Sequence, residues 1–122
     1  METTRVAEPP RLPKPNLGER PLLSAEQATE MAGVFKALAN DTRLRLIHAL
    51  ARAGEMCVGD LARAVAMKQQ AVSNQLQRLS DRGILDFQRN GNQIRYRIVD
   101  PCVATLLDQA LCLTEEAREL GS

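Results

Sequence analysis

The sequence is poor in aromatic residues, histidine and cysteine, and each shortage excludes a class of protein. Aromatic residues make up 2% of the 122 residues, tryptophan is absent, and there is a single histidine. A core with so few rings must be built from aliphatic side chains, which favours helices. One histidine excludes a histidine-rich metal site, and three widely spaced cysteines do not form a disulfide framework.

Long apolar runs and a strong net charge are also missing. No run reaches the ~18–20 apolar residues of a membrane span, and no apolar signal-peptide stretch follows Met1. We therefore expect a cytoplasmic protein with no membrane partner. The net charge of +1 excludes a strongly basic, histone-like binder, and a length of 122 residues excludes a two-domain enzyme.

Proline is concentrated at one end of the chain. Five of the six prolines lie within the first 21 residues, where hydrophobic periodicity is weak. Proline removes a backbone donor and resists both helix and sheet. We predict a flexible arm over residues 1–22 and one folded domain over residues 23–120.

The folded part opens with helical periodicity, because apolar residues recur at spacings of three and four. Ser24 and Gln27 have the spacing of a capping box, and Asp100-Pro101 is typical of a helix start. Helices are predicted, in chain order, from Ser24, from Asn40 or Asp41 to Gly54, over Val58–Val65, over Gln69–Arg82 and from Pro101. The residues of the second helix that are expected to face the core are Leu44, Ile47, Leu50 and Ala51.

After the fourth helix the apolar period changes from 3.6 to 2. Apolar and polar residues alternate over residues 85–88 and again over residues 93–98, with Asn90 and Gly91 between them. Asn-Gly between two alternating runs predicts a β-hairpin. The predicted fold is therefore mainly α with a β-hairpin wing, a winged helix-turn-helix in the order helix, helix, helix, helix, hairpin, helix.

Positive charge is concentrated on the fourth helix and the hairpin. Residues 68–97 carry six Lys and Arg against two Asp, a balance of +4, whereas residues 100–120 have a balance of −4. A basic helix beside a wing is suited to double-stranded DNA, since glutamine and asparagine can pair with adenine and basic side chains with phosphate. The candidate DNA-binding residues are Lys68, Gln69, Gln70, Ser73, Asn74, Gln77, Arg89, Asn92 and Arg95. The alternative is an ordinary solvated polar face.

Four segments together resemble the ArsR/SmtB family of metal-responsive winged-helix repressors. Leu38–Leu46 (LANDTRLRL) is similar to the family's second-helix signature, and Cys57–Leu61 (CVGDL) to the start of its third helix. Ala71–Leu76 (AVSNQL) resembles the recognition helix, and the segment from Gly83 to Tyr96 resembles the wing. The similarity runs from about Val34 to Glu116. It implies a homodimer joined through the first and last helices, and a repressor that leaves its operator when an inducer binds.

The resemblance also implies a sensor site on the last helix. Zinc-sensing relatives use Asp and His from one chain with His and Glu from the other. Asp100 and Glu116 match the acidic positions, Cys102 stands at the first His, and Cys112 falls one position before the second His, which here is Leu113. Thiolates in place of imidazoles favour Hg(II), Cd(II), Pb(II), As(III) or Cu(I) over zinc.

Spacing along the helix decides how Cys102 and Cys112 can act together. Ten residues correspond to ~15 Å, so one chain cannot chelate an ion with both thiols. Across antiparallel last helices, Cys102 of one chain can approach Cys112 of the other. Cys57 is a further candidate ligand. Relatives that sense at this position carry a second cysteine where this chain has Gly59.

Several readings of the thiols remain open. The thiols can bind a soft ion, or they can act as a redox or reactive-sulfur switch in the same fold. If they only pack against neighbouring side chains, the protein is a winged-helix regulator without an inducer. An enzyme is not expected, because no catalytic Cys/His or Ser/His/Asp set and no phosphate-binding glycine loop is present. The single histidine, His48, lies in an apolar run and is expected to be buried.

Overall fold

The computed structural model describes residues 14–121, with side chains given as far as Glu119. Most of the predicted arm, residues 1–13, therefore lies outside the described residues. Over residues 14–24 every side chain is exposed, and a short 3-10 helix spans Leu17–Glu19. The arm and domain boundaries stay predictions.

Between residues 14 and 121 the chain forms five α-helices and one antiparallel sheet. In chain order the elements are α1 (Ala25–Leu38), α2 (Asp41–Ala53), β1 (Glu55–Cys57), α3 (Val58–Val65), α4 (Gln69–Asp81), β2 (Leu85–Asn90), β3 (Gln93–Ile98) and α5 (Pro101–Gly121). This is the predicted winged helix-turn-helix order, with β1 added. None of the helices in this part of the chain is long and apolar enough to cross a membrane.

Side chains at the helix starts explain why the helices begin where they do. Ser24 Oγ accepts a hydrogen bond from the Gln27 N–H, and Gln27 Oε1 accepts one from the Ser24 N–H, both at 3.0 Å. Asn40, rather than Asp41, caps α2 by accepting from the Arg43 N–H at 3.0 Å. These bonds satisfy N–H groups that have no partner within the helix.

The wing is part of a three-stranded sheet with the strand order β1-β3-β2. The predicted hairpin is confirmed, and its turn places Gly91 at φ +61°, a conformation that glycine adopts without strain. The sequence did not predict β1, which pairs Met56 with Tyr96 and closes the other side of β3. Three residues are too few for an alternating pattern to be recognised.

The core is aliphatic apart from Tyr96 and lies between α2, α3, α4 and the sheet. Its fully buried large side chains are Leu46, Ile47, Leu50, Leu61, Val72, Leu76 and Leu79. On α3 the side chains that face the core are Leu61, Ala62 and Val65, and on α4 they are Val72, Leu76 and Leu79. On α2 the prediction was partly wrong, because Leu44, His48 and Ala51 form a second, exposed stripe that faces α5. His48 is therefore not buried.

Candidate DNA-binding surface and thiol site

The turn between α3 and α4 presents the amino end of α4 to solvent. Ala66 adopts the left-handed conformation at φ +56°, and the Met67 N–H donates to the Ala62 carbonyl at 3.0 Å. Lys68 precedes the first turn of α4, which contains no acidic residue. The helix dipole and the unpaired N–H groups make this end of α4 favourable for an anion such as a phosphate.

Most of the predicted DNA-binding side chains on α4 share one exposed face. Lys68, Gln69, Gln70, Asn74 and Gln77 are exposed, whereas Ser73 is half-buried. Gln70 Nε2 donates to Asn74 Oδ1 at 3.2 Å, so these two amides lie side by side one helical turn apart. The neighbouring Gln77 donates to Asp81 at 2.9 Å. The amides stand on the polar side of a helix whose opposite side is fixed in the core.

The three candidate DNA-binding residues of the hairpin lie in two different places. Arg89 and Asn92 flank the turn and are exposed. Arg95 lies further down β3, where its Nε donates to Glu55 Oε1 at 2.6 Å, and this hydrogen bond raises the Arg95 pKa. Because β1 was not predicted, the contact of Arg95 with Glu55 of β1 was not anticipated either.

One polar contact of the recognition helix was also not anticipated. Arg43 Nε donates to Gln75 Oε1 of α4 at 2.6 Å. Arg43 lies in the second-helix signature, but the sequence alone gives no indication of its partner, which is 32 residues away. The contact joins the start of α2 to the middle of α4.

The three cysteines fall into two groups. Cys102 and Cys112 are exposed on α5, whereas Cys57 is half-buried at the junction of β1 and α3. The Cys102 N–H donates to Asp100 Oδ1 at 2.8 Å, and Cys112 Sγ lies 3.7 Å from Glu116 Oε1. Glu116 thus lies beside the Cys112 thiol, whereas Asp100 is hydrogen-bonded to the backbone of Cys102.

A metal site is not complete within one protomer. Among the described residues, no group of three or more His, Cys, Asp or Glu is arranged to hold a metal ion. Cys102 and Cys112 lie ten residues apart on α5, or ~15 Å along the helix, so the two thiols of one chain cannot chelate the same ion. That α5 thiols of two chains combine stays a prediction.

Apolar surface is concentrated near the two terminal helices. Met31 and Phe35 of α1 are 43% and 49% exposed, and Leu111 and Leu113 of α5 are 52% and 67% exposed. A groove of about 480 Å³ runs between α2 and α5 and has Leu44, His48 and Leu111 among its lining residues. Exposed large apolar side chains together with a groove are typical of a protein interface.

Comparisons with known proteins find similarity to bacterial transcriptional regulators. The family described as "Bacterial regulatory protein, arsR family" matches residues 40–86. The crystal structure of an antimony-specific transcriptional repressor, AntR, is 62% identical, with a TM-score of 0.77, and the match covers 87% of this chain and 96% of that one.

Two further matches extend the likeness. The transcriptional repressor SmtB homolog of Synechocystis sp. is 42% identical over 70% of this chain, which spans 64% of the length of that relative. A homodimeric winged helix-turn-helix DNA-binding domain from Mycobacterium bovis, a possible ArsR-family regulator, is 34% identical with a TM-score of 0.70. That match covers 80% of this chain and 93% of the other. The chain therefore belongs to the ArsR family of bacterial transcriptional regulators, which are DNA-binding proteins and not enzymes.

Proposed function

We propose that this chain is a homodimeric repressor that leaves its operator DNA when a trivalent metalloid binds the thiolates of Cys102 and Cys112. The observation that carries the proposal is the exposure of both thiols on one helix outside the core. Free cysteine is among the most buried residue types, so two exposed thiols on α5 call for a chemical role.

Operator binding is assigned to α4 and the wing tip. The exposed polar face of α4 would enter the major groove, with Gln70 and Asn74 as the residues that read bases. Lys68 and Arg89 would contact phosphates. Arg95 is left out of this set because its guanidinium is held by Glu55.

Dimerisation is assigned to α1 and α5. Their exposed apolar side chains and the groove beside α5 would be covered by a second copy of the chain. A two-fold axis between antiparallel α5 helices would bring Cys102 of one protomer near Cys112 of its partner and create two equivalent sites. Glu116 lies beside the Cys112 thiol, Asp100 accepts from the backbone N–H of Cys102, and both carboxylates would line each site.

The choice of inducer follows from the donor set and from the relatives. Thiolates favour soft ions, and the repressor that is 62% identical to this chain is described as antimony-specific. We therefore place Sb(III) and As(III) ahead of Hg(II), Cd(II), Pb(II) and Cu(I), and all of these ahead of zinc. Binding would favour a dimer geometry that fits DNA poorly, a coupling of typically ~1–3 kcal/mol.

The test is a DNA-release titration of the reduced, full-length protein. A fluorescein-labelled duplex that the protein enriches from a random-sequence pool serves as the probe, and anisotropy reports binding. Antimonite and arsenite should release the duplex at lower concentrations than zinc does. Failure of every soft ion to release a tightly bound duplex would contradict the proposal.

The exposure of both thiols equally suits a redox-responsive repressor of the same fold. In that case Cys102 would form a disulfide with Cys112 of the partner, which requires Cα atoms within ~7 Å. Release of the duplex by peroxide or persulfide, with no response to antimonite or arsenite, would favour this second function. A crosslinked dimer on a non-reducing gel would identify the bond.

A further inference from the structure

The recognition helix α4 is tied to α1 at two points, each made by an arginine. The first tie is Arg43, whose Nε donates to Gln75 Oε1 at 2.6 Å while its Nη1 donates to the Ala37 carbonyl at 3.1 Å. Ala37 lies in the last turn of α1, where carbonyl groups have no partner within the helix. One guanidinium thus bridges the end of α1 and the middle of α4.

The second tie is Arg82, which directly follows α4. A Cβ placed on Gly33 of α1 would lie 2.8 Å from Arg82 Nη1 and 3.1 Å from Arg82 Cζ. The guanidinium therefore lies against the backbone of α1 at Gly33, and a Cβ at this position would require the exposed end of the Arg82 side chain to shift. Glycine is unfavourable in the middle of a helix, so its presence at this position fits the close approach of Arg82.

The order of the two contacts along α1 is the reverse of their order along α4, so the helices are connected in an antiparallel sense. Gly33 and Ala37 lie one turn apart on α1, while Gln75 of α4 and Arg82, just after the end of α4, lie about two turns apart. Two separated attachments fix the angle between the helices as well as their distance. On α1, Met31 and Phe35 are exposed and available to a second protomer.

We propose that Arg43 and Arg82 are positioning residues that fix the recognition helix to α1, so that the arrangement of α1 in the dimer sets the angle at which α4 meets DNA. This inference deepens the proposed function and rests on it. A dimer reads two half-sites one helical turn of DNA apart, so both α4 helices must keep their angle for specific readout. Non-specific phosphate attraction does not need that angle.

The test compares two fluorescein-labelled duplexes, the enriched duplex and a scrambled one of the same composition. Gly33→Ala is the sharpest variant, because it displaces the Arg82 guanidinium, keeps every charge and increases helix propensity. We expect it to bind the enriched duplex roughly tenfold more weakly, a typical size for coupled sites. Its affinity for the scrambled duplex and its unfolding temperature should not fall.

The first tie is tested by Arg43→Met, Gln75→Met and the double variant. If the hydrogen bond positions α4, each single variant weakens binding of the enriched duplex and the double variant is no weaker than the worse single one. Arg43→Lys should recover part of the affinity, since an ammonium can reach one acceptor but lacks the fork that serves two. Lys36→Met, on the exposed side of α1, controls for the loss of one positive charge.

Two results would overturn the inference. One is that Gly33→Ala and Arg43→Met bind the enriched duplex as the unsubstituted protein does. The other is that affinities for both duplexes fall together with the unfolding temperature, which indicates a structural role only. If the unsubstituted protein enriches no duplex, the proposed function fails and this inference fails with it.

Discussion

At the scale of single residues, the chemistry of this chain depends on a few side chains that stand outside the core. Cys102 and Cys112 are exposed, whereas Cys57 is half-buried where β1 meets α3. The sequence placed the two α5 thiols as candidate ligands from their positions and treated Cys57 as a weaker candidate. In the structure Cys57 pairs with Arg95 of β3, whereas Cys102 and Cys112 both lie on α5.

The first prediction distinguishes the thiols. Cys112→Ser should abolish release of the enriched duplex by antimonite, because one of the two α5 thiolates of each site is lost. Cys57→Ser serves as the matched control and should retain release. Anisotropy titration of both variants checks this, and retained release in Cys112→Ser would remove Cys112 from the site.

The second prediction concerns base readout by Gln70. Its side chain is exposed beside Asn74 on the polar face of α4. Gln70→Ala should weaken binding of the enriched duplex by ~1–3 kcal/mol, the usual worth of a bidentate base contact. Binding of a scrambled duplex and of antimonite should be unchanged, and equal losses on both duplexes would show that Gln70 reads no base.

At the scale of elements, regular patterns in the sequence were predictive and short or distant ones were not. The hairpin and the bounds of α3 were predicted because alternation and helical spacing extend over several residues. α4 ends at Asp81 rather than Arg82, with Gly83 in the left-handed region as expected for a helix end. β1 was missed because three residues carry no period.

Contacts between elements are what periodicity cannot supply. The partner of Arg43 lies 32 residues away and that of Arg95 lies 40 residues away. Periodicity also assigned α2 one apolar face, while the folded chain uses two: one in the core and one, with Leu44 and His48, toward α5. The second face exists because α5 returns to α2 after the wing.

The third prediction belongs to the sheet. Tyr96, the single tyrosine, is 3% exposed on the central strand, and its ring centroid lies 5.6 Å from that of Phe87. Burial raises the pKa of Tyr96, with a smaller contribution from Asp81. The pKa of Tyr96 is therefore higher in the folded protein than its value of about 10 in the unfolded chain. The stabilisation linked to the neutral, buried phenol is fully present below about pH 10 and is lost as the pH rises through the folded pKa.

Tyr96→Phe should remove this alkaline loss, because phenylalanine does not ionise. Urea unfolding at increasing alkaline pH measures the free energy of unfolding, and tyrosinate absorbance reports the single Tyr96 directly in the unsubstituted protein. If Tyr96→Phe and the unsubstituted protein lose the same free energy of unfolding between about pH 9 and about pH 11, ionisation of Tyr96 does not cause the loss.

At the scale of the whole molecule, the account depends on a second copy of the chain. The exposed apolar residues of α1 and α5 have no cover within the described part of one protomer, and neither α5 thiol can complete a site alone. The family resemblance of the sequence implied a homodimer. The exposed apolar side chains of α1 and α5 are consistent with that expectation.

The fourth prediction follows from the apolar face of α1. Phe35 is 49% exposed, so Phe35→Asp should leave the protomer folded while preventing association. Loss of the paired half-site should weaken binding of the enriched duplex by roughly 100-fold, since linked binding events typically gain that much. Sedimentation equilibrium measures the mass, and a dimer of unchanged stability would contradict the assignment of α1 to the interface.

The central claim, that each metalloid site joins Cys102 of one protomer to Cys112 of the other, has a direct test by mixing. Homodimers of Cys102→Ser and of Cys112→Ser each lack an intact site. A heterodimer of the two variants regains one, formed by the Cys102 and Cys112 that remain on different chains. Antimonite binding is measured by equilibrium dialysis before and after the two variants are unfolded together and refolded. The account predicts no binding to either variant alone and binding to the mixture, whereas a mixture that still binds no antimonite would contradict it.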